Sequence, residues 1–375
     1  MEKIRSYPLE DNYLVHSTQD SKLYILNETG HFILERLGAG RTIPEIVWEM
    51  TEAYGIEYGT AGADIALTLK EWRRIGLMPG VESCSPPETR PGNIPPHRLE
   101  PLDALRYYRL PGFHFSLRYN HAAMERLCHP RLSAIETDNS EGVDSELAIQ
   151  TDGTAWTVTV DGREACRTVS SNEARIELMI AILKGYHPDL NILALIHAAV
   201  VGRNGRAILL PAPSRCGKST ITAALVHAGY GYLSDDMAVL DLASGSAYPF
   251  PLGLSLRAGS WPIAEGMFPG LRGSSSAPLS DEMVKVIMLE GAQTLYAPLP
   301  VTAVVFPAYG SEQSNTLHKL SMTEMMVELS AAGFWTPLHA DHVARLLDLL
   351  HPVQRFRLEY SSLEAAVELM EALPP

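Results

Sequence analysis

Near the N-terminus, apolar and polar side chains alternate in two short stretches, Asn12-Tyr13-Leu14-Val15-His16 and Lys22-Leu23-Tyr24-Ile25-Leu26, separated by the polar segment Ser17–Ser21. A period of two with a turn between predicts a β-hairpin. The spacing then becomes helical. Asn27-Glu28-Thr29-Gly30 supply capping residues for a helix over His31–Leu37, and Gly38 to Gly40 stop it. A second helix is predicted from about Ile43 to Tyr54 and a third from Ala63 to Ile75, where Ile65, Leu67, Leu69, Trp72 and Ile75 share a broad apolar side. Two or three strands with three helices make a small α+β, winged-helix-like module over residues 1–80.

Residues 81–100 carry five prolines (Pro86, Pro87, Pro91, Pro95, Pro96) and little apolar content, so they read as an extended linker. The remainder, 101–375, alternates buried strands with helices and predicts an α/β domain. Its strands include Leu195–Val201, which carries His197 into an apolar setting and ends at the turn Gly202-Arg203-Asn204-Gly205, then Arg206–Leu210 and Val301–Pro307. Helices are expected at Ile221–Ala228 and near Met322–Ala331, Ala340–Leu350 and Ser362–Leu373. Gly270–Ser276 reads as a mobile loop able to cover a substrate.

Composition narrows the class. At 375 residues, 46% hydrophobic and 20% charged, the chain is ordinary globular protein, and no apolar run approaches the roughly 18 residues of a membrane span. The N-terminus shows no signal-peptide pattern, so a cytoplasmic location is expected. Four dispersed cysteines predict reduced thiols, and a net charge of −14 argues against nucleic acid as a partner. The His339/His342 pair reads as surface. A homo-oligomer is compatible with all of this.

The chemical signal lies after the Arg206–Leu210 strand, in Pro213-Ser214-Arg215-Cys216-Gly217-Lys218-Ser219-Thr220, which leads into a helix. Strand, loop and helix in this order form a Walker A context. A helix N-terminus presents N–H groups and positive dipole, a lysine reaches terminal phosphates, and a hydroxyl takes Mg²⁺. Lys218, Ser219 and Thr220 provide those parts, although Ala212 and Arg215 stand where such loops often carry glycine. Asp235 and Asp236 follow Lys218 by 17 and 18 residues, room for one helix and one short strand, so they emerge beside the loop. A bare strand-end turn is the alternative for this pair, a satisfied core histidine for His197, and a surface residue for Arg257. Lys285 is a weaker candidate.

Two family resemblances rest on these residues. Tyr24-Ile25-Leu26-Asn27-Glu28-Thr29-Gly30, Arg41-Thr42-Ile43-Pro44-Glu45-Ile46-Val47 and Arg74-Ile75-Gly76-Leu77 resemble the run of the PqqD-type domain, or RiPP recognition element, across about residues 6–78. That family binds leader segments of ribosomally made precursor peptides between a strand and the third helix, which implies a site near Lys22–Leu26 and Ile65–Arg73 here. A winged-helix DNA binder or a plain packing domain is the rival reading, but Asp64 and Glu71 among Lys70, Arg73 and Arg74 make a poor DNA face. The series His197-Ala198-Ala199-Val200-Val201, Ser214–Thr220, Leu233-Ser234-Asp235-Asp236 and Pro249–Arg257 resembles HPr kinase/phosphorylase and the HprK-related kinases found beside peptide-maturation enzymes.

The second resemblance implies a P-loop, phosphoenolpyruvate-carboxykinase-like α/β core that uses ATP and Mg²⁺ to phosphorylate a serine hydroxyl. By the same resemblance, Lys218 contacts the β/γ-phosphates and Ser219 holds the metal. Asp235 accepts the proton, and Asp236 assists the metal or orients His197, the two aspartates being interchangeable. Arg257 would stabilise transferred charge. Together the resemblances imply a serine kinase fused to its own peptide-recognition domain. The alternatives are a regulatory HPr-type kinase/phosphorylase and a non-catalytic, nucleotide-responsive peptide chaperone.

Overall fold

A computed structural model describes residues 4–17, 22–77, 94–96, 100–213, 216–274, 276–279, 282–289, 293–336 and 340–373. The chain divides into two units. Met1–Thr89 group with Ser321–Met326 and Thr336–His351, and Arg90–Leu320 group with Val327–Trp335 and Pro352–Pro375. The first unit thus takes two segments that sequence reasoning assigned to the larger domain.

In the first unit β1 (Ile4–Leu9), β2 (Asn12–Ser17) and β3 (Lys22–Asn27) form an antiparallel sheet in that order. The expected hairpin is β2–β3, and among the described residues β3 is the last strand of the sheet. β1 lacks a clean alternation of its own and gains its place by pairing with β2. α1 (Glu28–Gly38) begins where Asn27 Oδ1 accepts the Gly30 N–H at 2.9 Å. α2 (Ile43–Tyr54) has the ends its pattern predicts, because Thr42 and Glu45 form a capping box and Gly55, at φ 64°, closes it. α3 (Tyr58–Ile75) starts five residues earlier than expected. Ala61 is fully buried and Gly62 lies against Val47, so packing on α2 carries the helix through its weak first turns.

Ile65, Leu69 and Trp72 turn inward at the i, i+4, i+7 spacing, whereas Leu67, expected on the same side, is 65% exposed. Two residues advance an α-helix by about 200°, which places Leu67 opposite Ile65. Val15, Ile33, Ile46 and Ile65 are buried to 1% exposure or less, each contributing about 1.5–3 kcal/mol of transfer free energy. The added segment docks by polar contacts: Met322 N–H donates to Glu10 Oε2 at 3.1 Å, and Asn12 Nδ2 donates to Thr323 Oγ1 at 3.2 Å.

The second unit opens with β4 (Pro101–Leu110), β5 (Phe113–His121), α4 (Ala122–Leu132), β6 (Glu136–Thr137), β7 (Ser145–Thr151), β8 (Trp156–Val160), β9 (Arg163–Thr168) and α5 (Ser171–Tyr186). These strands form a six-stranded sheet, β6-β4-β5-β7-β8-β9, with α5 packed across β7 to β9. Of the expected linker 81–100, residues 81–93 and 97–99 lie outside the described residues. Ile94 is tied to this unit instead: its N–H donates to Ser171 Oγ at 2.7 Å and its carbonyl accepts from Trp156 Nε1 at 3.1 Å.

The remaining elements of the chain are β10 (Ile192–Ile196), β11 (Ala198–Arg203), β12 (Arg206–Pro211), α6 (Lys218–His227), β13 (Gly231–Ser234), β14 (Ala238–Asp241), β15 (Ser246–Tyr248), β16 (Leu254–Arg257), α7 (Trp261–Met267), β17 (Ser276–Leu279), β18 (Glu282–Ile287), β19 (Leu299–Tyr309), β20 (Thr316–Lys319), α8 (Met322–Ala332), β21 (Phe334–Trp335), α9 (Ala340–Leu350), β22 (Gln354–Tyr360) and α10 (Leu363–Glu371), of which α9 and the first turn of α8 group with the first unit. A ten-stranded sheet runs β13-β11-β12-β19-β15-β14-β10-β21, with β22 joining β19 and β20 joining β22. β12, β19 and β22 are parallel neighbours. Residues 254–287 supply a separate three-stranded sheet, β16-β18-β17.

Two expectations change here. The single strand Leu195–Val201 is two strands broken at His197: β10 pairs with β14 and β21, and β11 pairs with β12 and β13. The expected mobile loop 270–276 is instead ordered over its described residues, Ser275 lying outside them. Pro269–Gly273 form a 3₁₀ turn, Leu271 is fully buried, and its carbonyl accepts from Lys285 Nζ at 3.0 Å. Burial of one leucine outweighs the glycine and serine content around it. The fold is mixed α/β throughout.

Candidate active site

The loop between β12 and α6 leads directly into a helix N-terminus. Ser214 and Arg215 lie outside the described residues. After them Cys216 N–H donates to Pro213 O at 3.4 Å. Gly217 caps α6 at φ 80°, a conformation that costs a side-chain-bearing residue about 1 kcal/mol or more. The Gly217 carbonyl accepts from Thr220 and Ile221 N–H, both at 3.0 Å. The first N–H groups of the helix have no intrahelical acceptor, and with the helix dipole they favour a bound phosphate.

Lys218 begins the helix and is only 6% exposed. Its Nζ donates to Asp235 O at 2.6 Å and to Asp236 Oδ1 at 2.7 Å, and lies 3.9 Å from Asp235 Oδ1. Ser219 Oγ donates to the Asp235 carboxylate, 3.1 Å from Oδ1 and 3.0 Å from Oδ2. Thr220 Oγ1 shares a 2.6 Å hydrogen bond with Ser260 Oγ. The aspartates occupy the turn between β13 and β14, which the sheet carries back to the start of α6. The sequence therefore brings Lys218, Ser219, Asp235 and Asp236 together as expected, but with a different pairing. Ser219 meets Asp235, and Lys218 is shared, its shortest carboxylate contact being Asp236; the expected metal pair was Ser219 with Asp236.

His197 joins the cluster from the β10–β11 break, where its N–H donates to Gly333 O at 2.8 Å and its Nδ1 lies 3.1 Å from Asp236 O. That break is what aims it at the site. Arg257 closes β16 two positions beyond Ser255, whose N–H donates to Asp235 Oδ2 at 3.0 Å. Lys285 sits elsewhere, over the Trp261 ring at 4.7 Å and bonded to Leu271. His339 lies outside the described residues.

Sequence reasoning missed Arg131 and Arg175. Arg131, near the end of α4, donates from Nε to Asp236 Oδ2 at 3.2 Å, and Arg175 on α5 feels both Arg131 and Asp236. No local pattern marks either. Arg131 precedes Asp236 by 105 residues and follows Pro130 in a helix whose role only the tertiary fold reveals.

Charge in the site is divided unevenly. Burial pushes the Asp235 carboxyl up to about 6 against the pull of Lys218, with Asp236 adding to the rise. Burial opposes ionisation of Asp236 too, but Lys218, Arg131 and His197 outweigh it and hold that carboxyl well below the usual range. Burial, with the Lys218 charge, pushes His197 down to about 4, so its imidazole is neutral at pH 7. Burial and the neighbouring Arg131 likewise lower Arg175.

Residues 13–78 match the model of the family described as coenzyme PQQ synthesis protein D (PqqD), and the chain carries a PqqD domain at its N-terminus. No match is found among curated proteins. Among solved structures, TbiB1 in complex with the TbiA(beta) leader peptide is similar to part of the chain at 21% identity, covering 22% of this chain and 95% of that one, with a TM-score of 0.20. The HPr(Ser) kinase/phosphatase from Coxiella burnetii is similar at 10% identity, covering 47% of this chain and 93% of that one, with a TM-score of 0.25. Among the described residues no helix is long and apolar enough to cross a membrane.

Proposed function

We propose that this protein is an ATP-dependent kinase that phosphorylates a serine hydroxyl on a ribosomally synthesised precursor peptide, whose leader is held by its own PqqD domain. The observation that carries the kinase half is the convergence of the Lys218 ammonium, the Ser219 hydroxyl and two carboxylates at the N-terminus of a helix capped by a left-handed glycine. Phosphoryl transfer asks for little else: positioning, and positive charge around the transferred group.

The donor set fits Mg²⁺. A hydroxyl and carboxylates are hard oxygen ligands of the kind this ion takes. Ser219 and Asp235 would hold the ion, which when bound neutralises charge on the phosphates. The pairing of these two therefore favours exchanging the roles first given to the aspartates. Asp236, 30% exposed against 3% for Asp235, is the proton acceptor. As the serine Oγ bonds to the γ-phosphorus, the bond to the β–γ bridging oxygen breaks, ADP departs and the hydroxyl proton passes to Asp236. Lys218 moves its charge to the phosphates as it leaves Asp236, freeing a lone pair on that carboxylate. Arg131 keeps Asp236 oriented, neutral His197 braces the Asp236 carbonyl, and Arg257 lies on the strand leading from Ser255 as a further cation for the transferred group.

The peptide half is supported by the PqqD domain and by the position of β3 at the sheet edge. Among the described residues β3 ends its sheet, and a strand in that position can take on another through main-chain bonds, here beside Ile65–Arg73 of α3. A leader held there raises the acceptor's effective concentration, to mM for a linker of matched length. Weak recognition at the reacting serine then suffices. The test is incubation with ATP, Mg²⁺ and a precursor peptide, followed by mass spectrometry. A phosphate on a serine is expected; nucleotide binding without transfer would leave the chaperone reading standing.

A further inference from the structure

Deepening the nucleotide reading and resting on it, we infer that Tyr309 is the platform on which the nucleobase stacks. β12, β19 and β22 are parallel and end on the same side of the sheet. The phosphate loop follows β12, Tyr309 is the last residue of β19, and Tyr360 is the last residue of β22, opposite Tyr309 in the ladder. Ligands of open α/β sheets gather at such carboxyl ends.

Both tyrosines reach the loop itself. A Cβ placed on Gly217 would lie 3.4 Å from the Tyr360 hydroxyl oxygen and 3.9 Å from Tyr309 Cβ. Their rings are 5.5 Å apart at 53°. Their environments differ sharply, since Tyr360 is 1% exposed and Tyr309 is 61% exposed. Tyr360 is thus a buried wall that fixes Tyr309, while Tyr309 keeps an aromatic face in solvent within a residue's length of the phosphate site. A nucleotide with its phosphates at Gly217–Thr220 has its base beyond them, within reach of that face. Stacking uses the π-surface that every base shares, so the contact supports ATP and GTP alike.

The experiment compares binding of ATP, GTP and inorganic tripolyphosphate, each with Mg²⁺, by calorimetry to the full chain, unmodified and as Tyr309→Ala, Tyr309→Leu and Tyr309→Phe. Circular dichroism confirms that each variant is folded, and Leu retains bulk if Ala unsettles the strand end. The expected result is a roughly 5- to 150-fold loss of ATP and GTP affinity in the Ala and Leu variants, the range of base–aromatic stacking, with tripolyphosphate unchanged and Phe restoring the nucleotides. Unchanged ATP affinity, or equal losses for ATP and tripolyphosphate, overturns the inference while leaving the phosphate site intact. If the unmodified chain binds none of the three, the nucleotide reading falls and this inference with it.

Discussion

Replacing Lys218 by methionine keeps the stem of the side chain and removes its charge, which tests the electrostatic design of the site. Breaking one side of a buried ion pair costs about 3–5 kcal/mol when the abandoned charge has no escape. Here both carboxylates have one. Asp236 keeps Arg131 at 3.2 Å, and Asp235 keeps its Ser219 and Ser255 donors and already holds its proton up to about pH 6. The loss is therefore capped by protonation of Asp235. Without Lys218 its folded-state value rises further, so the folded variant binds a proton that the folded unmodified protein has released by pH 7. Each pH unit between 6 and the assay pH then adds about 1.4 kcal/mol to the destabilisation. At pH 7 this group makes the variant about 1 kcal/mol less stable, and at pH 5, where Asp235 is protonated in both proteins, its contribution vanishes. Urea midpoints at pH 5 and pH 7 measure the difference, and calorimetry measures the accompanying loss of MgATP binding. A destabilisation independent of pH, or undiminished MgATP affinity, would refute the reasoning.

Three further outcomes follow from the same geometry. Asp236→Asn retains MgATP binding and lowers turnover by about 10² or more, whereas Asp235→Asn weakens Mg²⁺-dependent nucleotide binding itself; the reverse pattern in calorimetry and steady-state rates restores the original role assignment. His197→Gln loses less stability than the unmodified protein between pH 6.5 and 4. The folded imidazole, pushed down to about 4, stays neutral while the unfolded one takes up a proton, so acid favours unfolding through this group; equal acid sensitivity in melting curves contradicts its burial. Ile25→Pro on the edge strand β3 weakens leader peptide binding and leaves MgATP affinity unchanged, because proline removes a ladder N–H far from the phosphate loop in sequence; loss of both in calorimetry argues against separate tasks.

Legibility of the chain in its sequence tracks how local the determinants are. α2 has the predicted bounds because Thr42, Glu45 and Gly55 act within one turn of its ends, and the strand–loop–helix from Arg206 to His227 is readable because its strand, glycine and helix are contiguous. The pairing of β2 with β3 needed only the turn between them. Where distant packing decides, the reading fails. Leu67 has the residue type of a core position and the exposure of a surface one, Leu271 anchors a glycine-rich segment that resembles a loop, and His197 breaks a strand whose two halves pair with different neighbours. Arg131 was invisible since its partner lies 105 residues away. The pairing of Ser219 with Asp235 is likewise a matter of angstroms that the spacing of 16 residues leaves open.

The central claim, that a kinase site works on a peptide delivered by the PqqD domain, is tested most directly by phosphate incorporation into a full-length precursor and its leaderless counterpart across a range of peptide concentrations. The account predicts a large preference for the full-length peptide at micromolar concentration that shrinks as the leaderless peptide approaches the mM effective concentration of a tethered acceptor. Equal phosphorylation of the two peptides at every concentration would contradict it.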